Sequence, residues 1–175
     1  MALTVEDGTG KADADAFVSV DDCTAYCAAN GLTAWEDGDA DTWEPAIRRA
    51  TSWLSTAFTW KGYRTNGRSQ ALAWPRTDVE DAEDEAVPSD EIPVEIVRAC
   101  CEAAVYELAN PGALSPTVTL TDRIRSEQVG SLRVEYQAAP TTADAARPVL
   151  LKVRELVGGL VAAGSNPLVG RTLRG

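Results

Sequence analysis

The pattern of apolar and polar residues is strongest between Asp41 and Phe58. Beyond Asp41, an apolar residue stands at every third or fourth position, which is the spacing of one face of an α-helix. Asp41 and Glu44, a carboxylate three residues later, fit the start of such a helix. We therefore predict an amphipathic helix whose buried face comprises Trp43, Ala46, Ile47, Ala50, Trp53, Leu54, Ala57 and Phe58.

Three further helices are predicted. One covers about residues 20–29, with Ser19 as its N-cap and Asn30-Gly31 as its stop. Another has Pro93 in its first turn, where a missing amide hydrogen costs nothing, and a last helix covers about residues 149–163. The helix after Pro93 is predicted to bury Val97, Cys101, Ala104, Val105 and Leu108.

The pattern changes to a period of two between the last two helices. Val118-Thr-Leu120 and Leu132-Arg-Val-Glu-Tyr136 alternate, and Gly130 marks a turn, so a β-hairpin is predicted over residues 118–136. Residues 61–90 have no regular period and predict a long loop.

The fold class is therefore mainly α: a small bundle of about four helices with one hairpin, a long loop and extended N- and C-terminal arms. Residues 1–18 are rich in Gly, Asp and Ala and predict a loosely structured arm. We expect one helical domain over residues 1–163, followed by an extended tail over residues 164–175.

Charge changes the picture of possible partners. The 175 residues include 27 acidic and 16 basic ones, for a net charge of -11. Nine acidic residues and no basic one lie between residues 77 and 97, which predicts a solvated loop. A protein that grips nucleic acid through its phosphates needs a basic face instead.

The chain offers little for catalysis. It has no histidine, which excludes Ser-His-Asp and Cys-His catalysis. Cys23 and Cys27 stand on one predicted helix face, whereas adjacent Cys100 and Cys101 do not suit a second pair of zinc ligands. The segment Gly8-Thr-Gly-Lys11 lacks the first glycine and the final Ser or Thr of a phosphate-binding loop. We expect no enzyme, no cofactor and no metal site.

Targeting signals are also absent from the pattern. No apolar stretch approaches the roughly 20 residues of a membrane span, and the first residues do not read as a signal peptide. We therefore expect a soluble protein of a reducing cytosol, with its cysteines in the core.

Five segments carry a resemblance to a known family. The segments are Val5-Glu-Asp-Gly-Thr-Gly10, Ala14-Asp-Ala-Phe-Val-Ser-Val20, Ala71-Leu-Ala-Trp-Pro-Arg76, Ile92-Pro-Val-Glu-Ile96 and Val129-Gly-Ser-Leu-Arg-Val-Glu-Tyr136. In their order and spacing they are similar to the head–tail connector (adaptor) proteins of tailed bacteriophages and gene transfer agents, whose relatives are often labelled DnaT-like single-stranded-DNA-binding proteins. The resemblance spans about residues 4–163.

The resemblance implies a structural virion protein of the head–tail neck, assembled in the host cytoplasm. Such a protein forms a ring under the portal, twelvefold like the portal itself, and provides the platform for the stopper or tail. Genomic DNA then passes through the channel without specific binding, which suits the negative net charge.

Three groups of residues are the candidate contacts of such a ring. Trp74, Pro75 and Arg76 anchor the long loop or meet an adjacent subunit, with Trp74 inward and Arg76 outward. The long acidic loop and the hairpin are expected to lie between subunits, because an isolated hairpin is marginal in water. The tail is expected to dock on the portal. The hairpin candidates are Leu132, Val134 and Tyr136, and the portal-binding candidates are Leu168, Val169, Arg171, Leu173 and Arg174.

The alternative function is a single-stranded-DNA-binding replication accessory protein. It would require aromatic side chains interleaved with basic ones on an exposed surface, whereas Trp43 and Trp53 fall on a predicted core face. A dimeric regulator is a third hypothesis, which the size of the assembled protein would separate from the other two.

Overall fold

The computed structural model describes residues 2–116 and 150–162, together with the backbone of residues 126–129 and 132–135. Its described part is mainly helical with one antiparallel hairpin, which confirms the predicted fold class. The helices are α1 (Val20–Asn30), α2 (Ala40–Ala57), α3 (Val94–Ala109) and α4 (Leu151–Val157). The strands are β1 (Tyr63–Arg64), β2 (Arg76–Thr77), β3 (Ser126–Val129) and β4 (Leu132–Glu135).

The ends of α1 agree with the prediction, whereas the start of α2 differs from it. Ser19 accepts a hydrogen bond from the Asp22 amide, and Gly31 closes α1 in the left-handed conformation. The N-cap of α2 is Asp39, not Asp41. The Asp39 carboxylate accepts from the Thr42 amide, and the Thr42 hydroxyl accepts from the Asp39 amide. This reciprocal pair places Asp41 in the first turn, where its charge favours the positive end of the helix.

The core forms where α3 packs against α2 and α4. In α2 the predicted face is confirmed, since Ala46, Ile47, Ala50, Trp53 and Leu54 are buried. In α3 the predicted face is confirmed only in part: Cys101 and Ala104 are buried, whereas Val97, Val105 and Leu108 are half-buried against the core. Because α1, α2 and α4 all contact α3, it buries more than one side, and its buried residues are Ile96, Ala99, Cys100, Cys101, Ala103, Ala104 and Glu107.

The last helix is shorter than predicted. It ends at Val157 and continues as a single 3-10 turn over Gly158–Leu160, because two adjacent glycines favour leaving the helix. Val161 then pairs in an antiparallel bridge with Trp60, and the Lys61 amide donates to the Leu160 carbonyl (3.0 Å). The end of the bundle is thereby tied to the start of the long loop.

The predicted loose arm over residues 1–18 is wrong for residues 2–18, the part of it that the structure describes. Val5 pairs with Ala16 in a parallel bridge, and Phe17 and Val18 are buried. The Phe17 amide donates to the Thr51 hydroxyl on α2 (3.3 Å). The segment contains no helix and no extended strand, because its backbone hydrogen bonds join residues 4–6 to residues 15 and 16 across a loop.

The predicted hairpin is present as the strands β3 and β4. Val129 pairs with Leu132 and Ser126 with Glu135. The predicted turn at Gly130 lies outside the described residues. Among the elements that the structure describes, β3 and β4 contact only each other. The outer parts of the predicted range, residues 118–125 and Tyr136, lie outside the described residues, as does the tail over 164–175.

Candidate assembly surface

Trp74 holds the long loop onto the protein's own core. Its side chain has 0% exposure, and its ring lies edge-on to that of Trp60, with ring centres 5.8 Å apart. Phe58 and Trp53 extend this aromatic cluster toward α2. Pro75, which follows a cis peptide bond, is buried as well. The structure therefore buries Trp74 and Pro75, the first two residues of the Trp-Pro-Arg segment, inside the protomer.

Arg76 also points into the protomer, so the expectation that it faces outward is wrong. Its guanidinium donates to the carbonyls of Lys61 (2.7 Å), Gly62 (2.6 Å) and Ala73 (3.0 Å). Burial lowers the pKa of this guanidinium, yet arginine stays charged near neutral pH. The reason for its position is that these carbonyls belong to turns without strand partners, and a planar fork of donors satisfies them together.

The long loop and the N-terminal segment form one hydrogen-bonded unit. The amide group of buried Gln70 donates to the carbonyls of Leu72 and Pro75, both at 3.0 Å. The amide of Asn66 donates to the carbonyls of Thr9 (2.7 Å) and Gly10 (3.1 Å). These bonds involve two of the five segments of the family resemblance, residues 5–10 and 71–76.

The segment that resembles a phosphate loop is occupied by the protein's own carboxylate. Glu6 is buried, and its two oxygens accept from the amides of Gly8 (3.1 Å), Gly10 (2.8 Å) and Lys11 (2.8 Å). A side chain at Gly8 would collide with the Asp90 carbonyl, so the turn is packed from outside too. Because Glu6 already satisfies the amides that would hold an anion, this loop is structural.

Replacing Glu6 with alanine is expected to destabilise the protein by about 3 kcal/mol, because three amides lose a charged acceptor in a buried turn. Urea unfolding measures the change, and Asp13→Ala, at an exposed position two residues past Lys11, is the control. Glu6→Gln keeps one acceptor oxygen and should lose less. A loss below about 1 kcal/mol for Glu6→Ala would show that the turn forms without the carboxylate.

The four cysteines are free and buried. Burial raises the pKa of Cys100 to about 12 and that of Cys27 to about 11. A hydrogen bond to Cys101 and burial raise the pKa of Cys23 above its ordinary value. Protonated, enclosed thiols are poor nucleophiles and metal ligands. In the described part of the chain no group of His, Cys, Asp or Glu could hold a metal ion.

One exposed loop combines an aromatic ring with positive charge. Residues 63–69, here called the basic loop, are all exposed, and Tyr63 has 71% of its surface accessible. Tyr63 is the one exposed aromatic residue of the described chain. Arg64 and Arg68 make no ion pair within the described residues, whereas Arg48 and Arg49 on α2 do. Sequence reasoning missed this loop, although residues 45–77 hold six basic and no acidic residues.

A second loop carries the opposite charge. Residues 80–85, here called the acidic loop, include five carboxylates, of which Glu80, Glu83, Asp84 and Glu85 are exposed. Asp81 orders the loop by accepting from the amides of Glu83 (2.8 Å) and Glu85 (3.0 Å). An open groove of about 700 Å³ runs beside it from Lys61 and Gly62 to Ser89.

The remaining candidate residues are placed only in part. Leu132 and Val134 lie in β4, whose backbone alone is described. Tyr136 and the five tail residues Leu168, Val169, Arg171, Leu173 and Arg174 lie outside the described residues. No helix in the described part of the chain is both long and apolar enough to cross a bilayer.

Comparison with known proteins yields one family. A family model described as "Putative DnaT-like ssDNA binding protein" matches residues 1–175, the whole chain. No curated protein and no solved structure matches.

Proposed function

The chain belongs to the DnaT-like ssDNA binding protein family, and we propose that within it this protein is a head–tail adaptor of a tailed phage or related particle. In this role it is a structural protein of the virion neck. Copies assemble as a ring under the portal, twelvefold to match it, extend the DNA channel and carry the stopper or tail.

The observation that carries this proposal is that the hairpin strands contact no other element in the described part of the chain. Two strands of four residues each pair only with each other among the described elements. Such a hairpin is marginal in water unless a third strand or another surface supports it. By the register, positions 127, 129, 132 and 134 share one side of the ladder, and three of these are Val or Leu. An adjacent subunit supplies the missing surface.

The charge of the chain supports the same role. Each chain has a net charge of -11, so a channel formed by a ring of these chains repels the phosphates of DNA. The genome therefore slides through the channel without being bound. The buried thiols, and the turn whose amides are already bonded to Glu6, also suit a structural protein.

The portal protein from the same genome provides the test. We expect the two proteins to form a complex that electron microscopy shows as a ring stacked on the portal, and the ring to appear between portal and tail in purified particles. Val134→Asp should prevent the ring from forming, whereas Arg133→Asp, at the alternate position of the same strand, should not. A chain that never joins the portal and is absent from particles would refute the proposal.

The second candidate function is single-stranded-DNA binding, and one observation favours it. The basic loop has the exposed Tyr63 ring and two arginines, the combination on which bases stack and phosphates pair. Against it, Trp35, Trp53, Trp60 and Trp74 are all buried. Fluorescence anisotropy with a labelled single strand separates the two functions, because nanomolar, salt-sensitive binding would favour the second one.

A further inference from the structure

Hydrogen bonds hold the basic loop in place, whereas its two arginines form no ion pair within the described residues. The Thr65 amide donates to Pro75 (3.3 Å), its hydroxyl donates to Ser89 (2.9 Å), and Asn66 is bonded to Thr9 and Gly10. The loop is therefore held at both sides while Tyr63, Arg64 and Arg68 project from it. Tyrosine and arginine are the residues that most often dominate protein interfaces, because each covers a large area and offers a directed polar group.

Hydrogen bonds to Lys61 and within the loop itself also hold the acidic loop in place. Its base is tied by the Lys61 ammonium, which donates to the Glu80 carbonyl (3.0 Å), and by the Asp81 amide, which donates to the Glu85 carbonyl (2.9 Å). Ala82 packs against Gly159 beside the end of α4. The four exposed carboxylates of this loop therefore stand on an ordered support, and none of them pairs with Arg64 or Arg68 of the same chain within the described residues.

The two loops lie at opposite ends of one strip of backbone. Lys61 stands at one end, bonded to Leu160 and to the acidic loop. Asn66 stands at the other end, beside the N-terminal turn, within the basic loop. Within the described residues no carboxylate of the acidic loop pairs with Arg64 or Arg68, so both charged patches are open to a second copy. A contact between two different patches is head-to-tail, and it closes into a ring when the rotation between copies permits.

We infer that the basic loop of one copy binds the acidic loop of the next copy. This inference rests on the proposed ring and names the contact that orders it. A second copy fits better than a nucleic acid, because the chain has a net charge of -11, which repels phosphates, and it carries a loop of complementary charge. Charged pairs at such a contact set register and partner choice.

Paired charge reversals on the full chain test the contact. Arg64→Glu with Arg68→Glu reverses the basic loop, and Glu83→Arg with Glu85→Arg reverses the acidic loop. Self-association is measured by sedimentation velocity, with and without the portal protein. We expect each pair to weaken self-association by at least about tenfold, and added salt to weaken that of the original chain. An equal mixture of the two variants, or one chain with all four changes, should regain association.

Controls keep the result interpretable. Arg98→Glu with Lys152→Glu makes the same change of net charge at exposed helix positions and should leave self-association unchanged. Circular dichroism reports whether each variant folds, and Arg64→Gln with Arg68→Gln replaces the reversed pair if that pair does not.

The outcomes separate this inference from the proposed function. Association that is lost by each pair and regained by the four-fold variant supports the contact, even if the portal is not bound. A ring that assembles on the portal regardless of the reversals overturns the inference alone. Loss of single-strand binding by the Arg64 and Arg68 variants, with self-association unmoved, assigns the loop to nucleic acid and also overturns it. A chain that never self-associates overturns both.

Discussion

Replacing Trp74 with alanine is expected to destabilise the protein by about 3–5 kcal/mol, enough to unfold a domain of ordinary stability in part. The side chain is fully buried and sits at the end of the aromatic cluster that joins the long loop to α2. Its removal leaves a cavity beside Trp60 and loosens the turn that Arg76 holds. Urea unfolding followed by tryptophan fluorescence gives the change in the free energy of unfolding.

Tyr63→Ala is the matched control for this prediction. It removes an aromatic ring from the same loop, but from a side chain that is 71% exposed, so stability should change by less than about 0.5 kcal/mol. If Trp74→Ala unfolds at nearly the same urea concentration as the original chain, the long loop is held by its hydrogen bonds and not by the ring.

Deleting residues 167–175 is expected to abolish portal binding, with a loss of at least about a hundredfold, while the protomer stays folded. Folding survives because the described core closes earlier, at the bridge between Val161 and Trp60 and the bond from the Ala162 amide to the Thr59 carbonyl (2.8 Å). Binding is lost because the deleted segment carries the apolar and basic residues proposed for the portal: Leu168, Val169, Arg171, Leu173 and Arg174.

Two variants of the intact tail divide the effect between charge and apolar contact. Arg171→Gln with Arg174→Gln should reduce portal affinity and its salt dependence, whereas Leu168→Asp with Leu173→Asp should remove most of the binding. Affinity is measured by biolayer interferometry with the portal immobilised, and unfolding curves check the fold. Unchanged affinity of the truncated chain would show that another surface meets the portal.

The helices were predictable because their signals are local. The hydroxyl of Ser19 and the left-handed Gly31 act within one turn of α1, and the face of α2 follows from the period of its own residues. The choice of Asp41 over Asp39 as the N-cap failed for a similarly local reason. Both carboxylates fit the start of a helix, and the Thr42 hydroxyl decides between them.

The candidate surface was much less predictable. The observed inward position of Arg76, which the sequence did not predict, depends on the carbonyls of residues 61, 62 and 73. No pattern around Arg76 shows that these carbonyls lack other partners. The sequence does contain one indication of the basic loop, because residues 45–77 include six basic and no acidic residues. Whether its arginines are paired, as Arg48 is with Asp15, is decided by residues far away in the chain.

The sequence by itself determined the helical periods, the caps of α1, the alternation of the hairpin and the acidic net charge, because each depends on residues within a few positions or on composition alone. Only the tertiary structure decided that α3 is buried on several sides, that residues 4–18 join the core and that Trp74 and Arg76 turn inward. These features arise where segments distant in the chain meet, and burial and hydrogen-bond partners exist only after they have met.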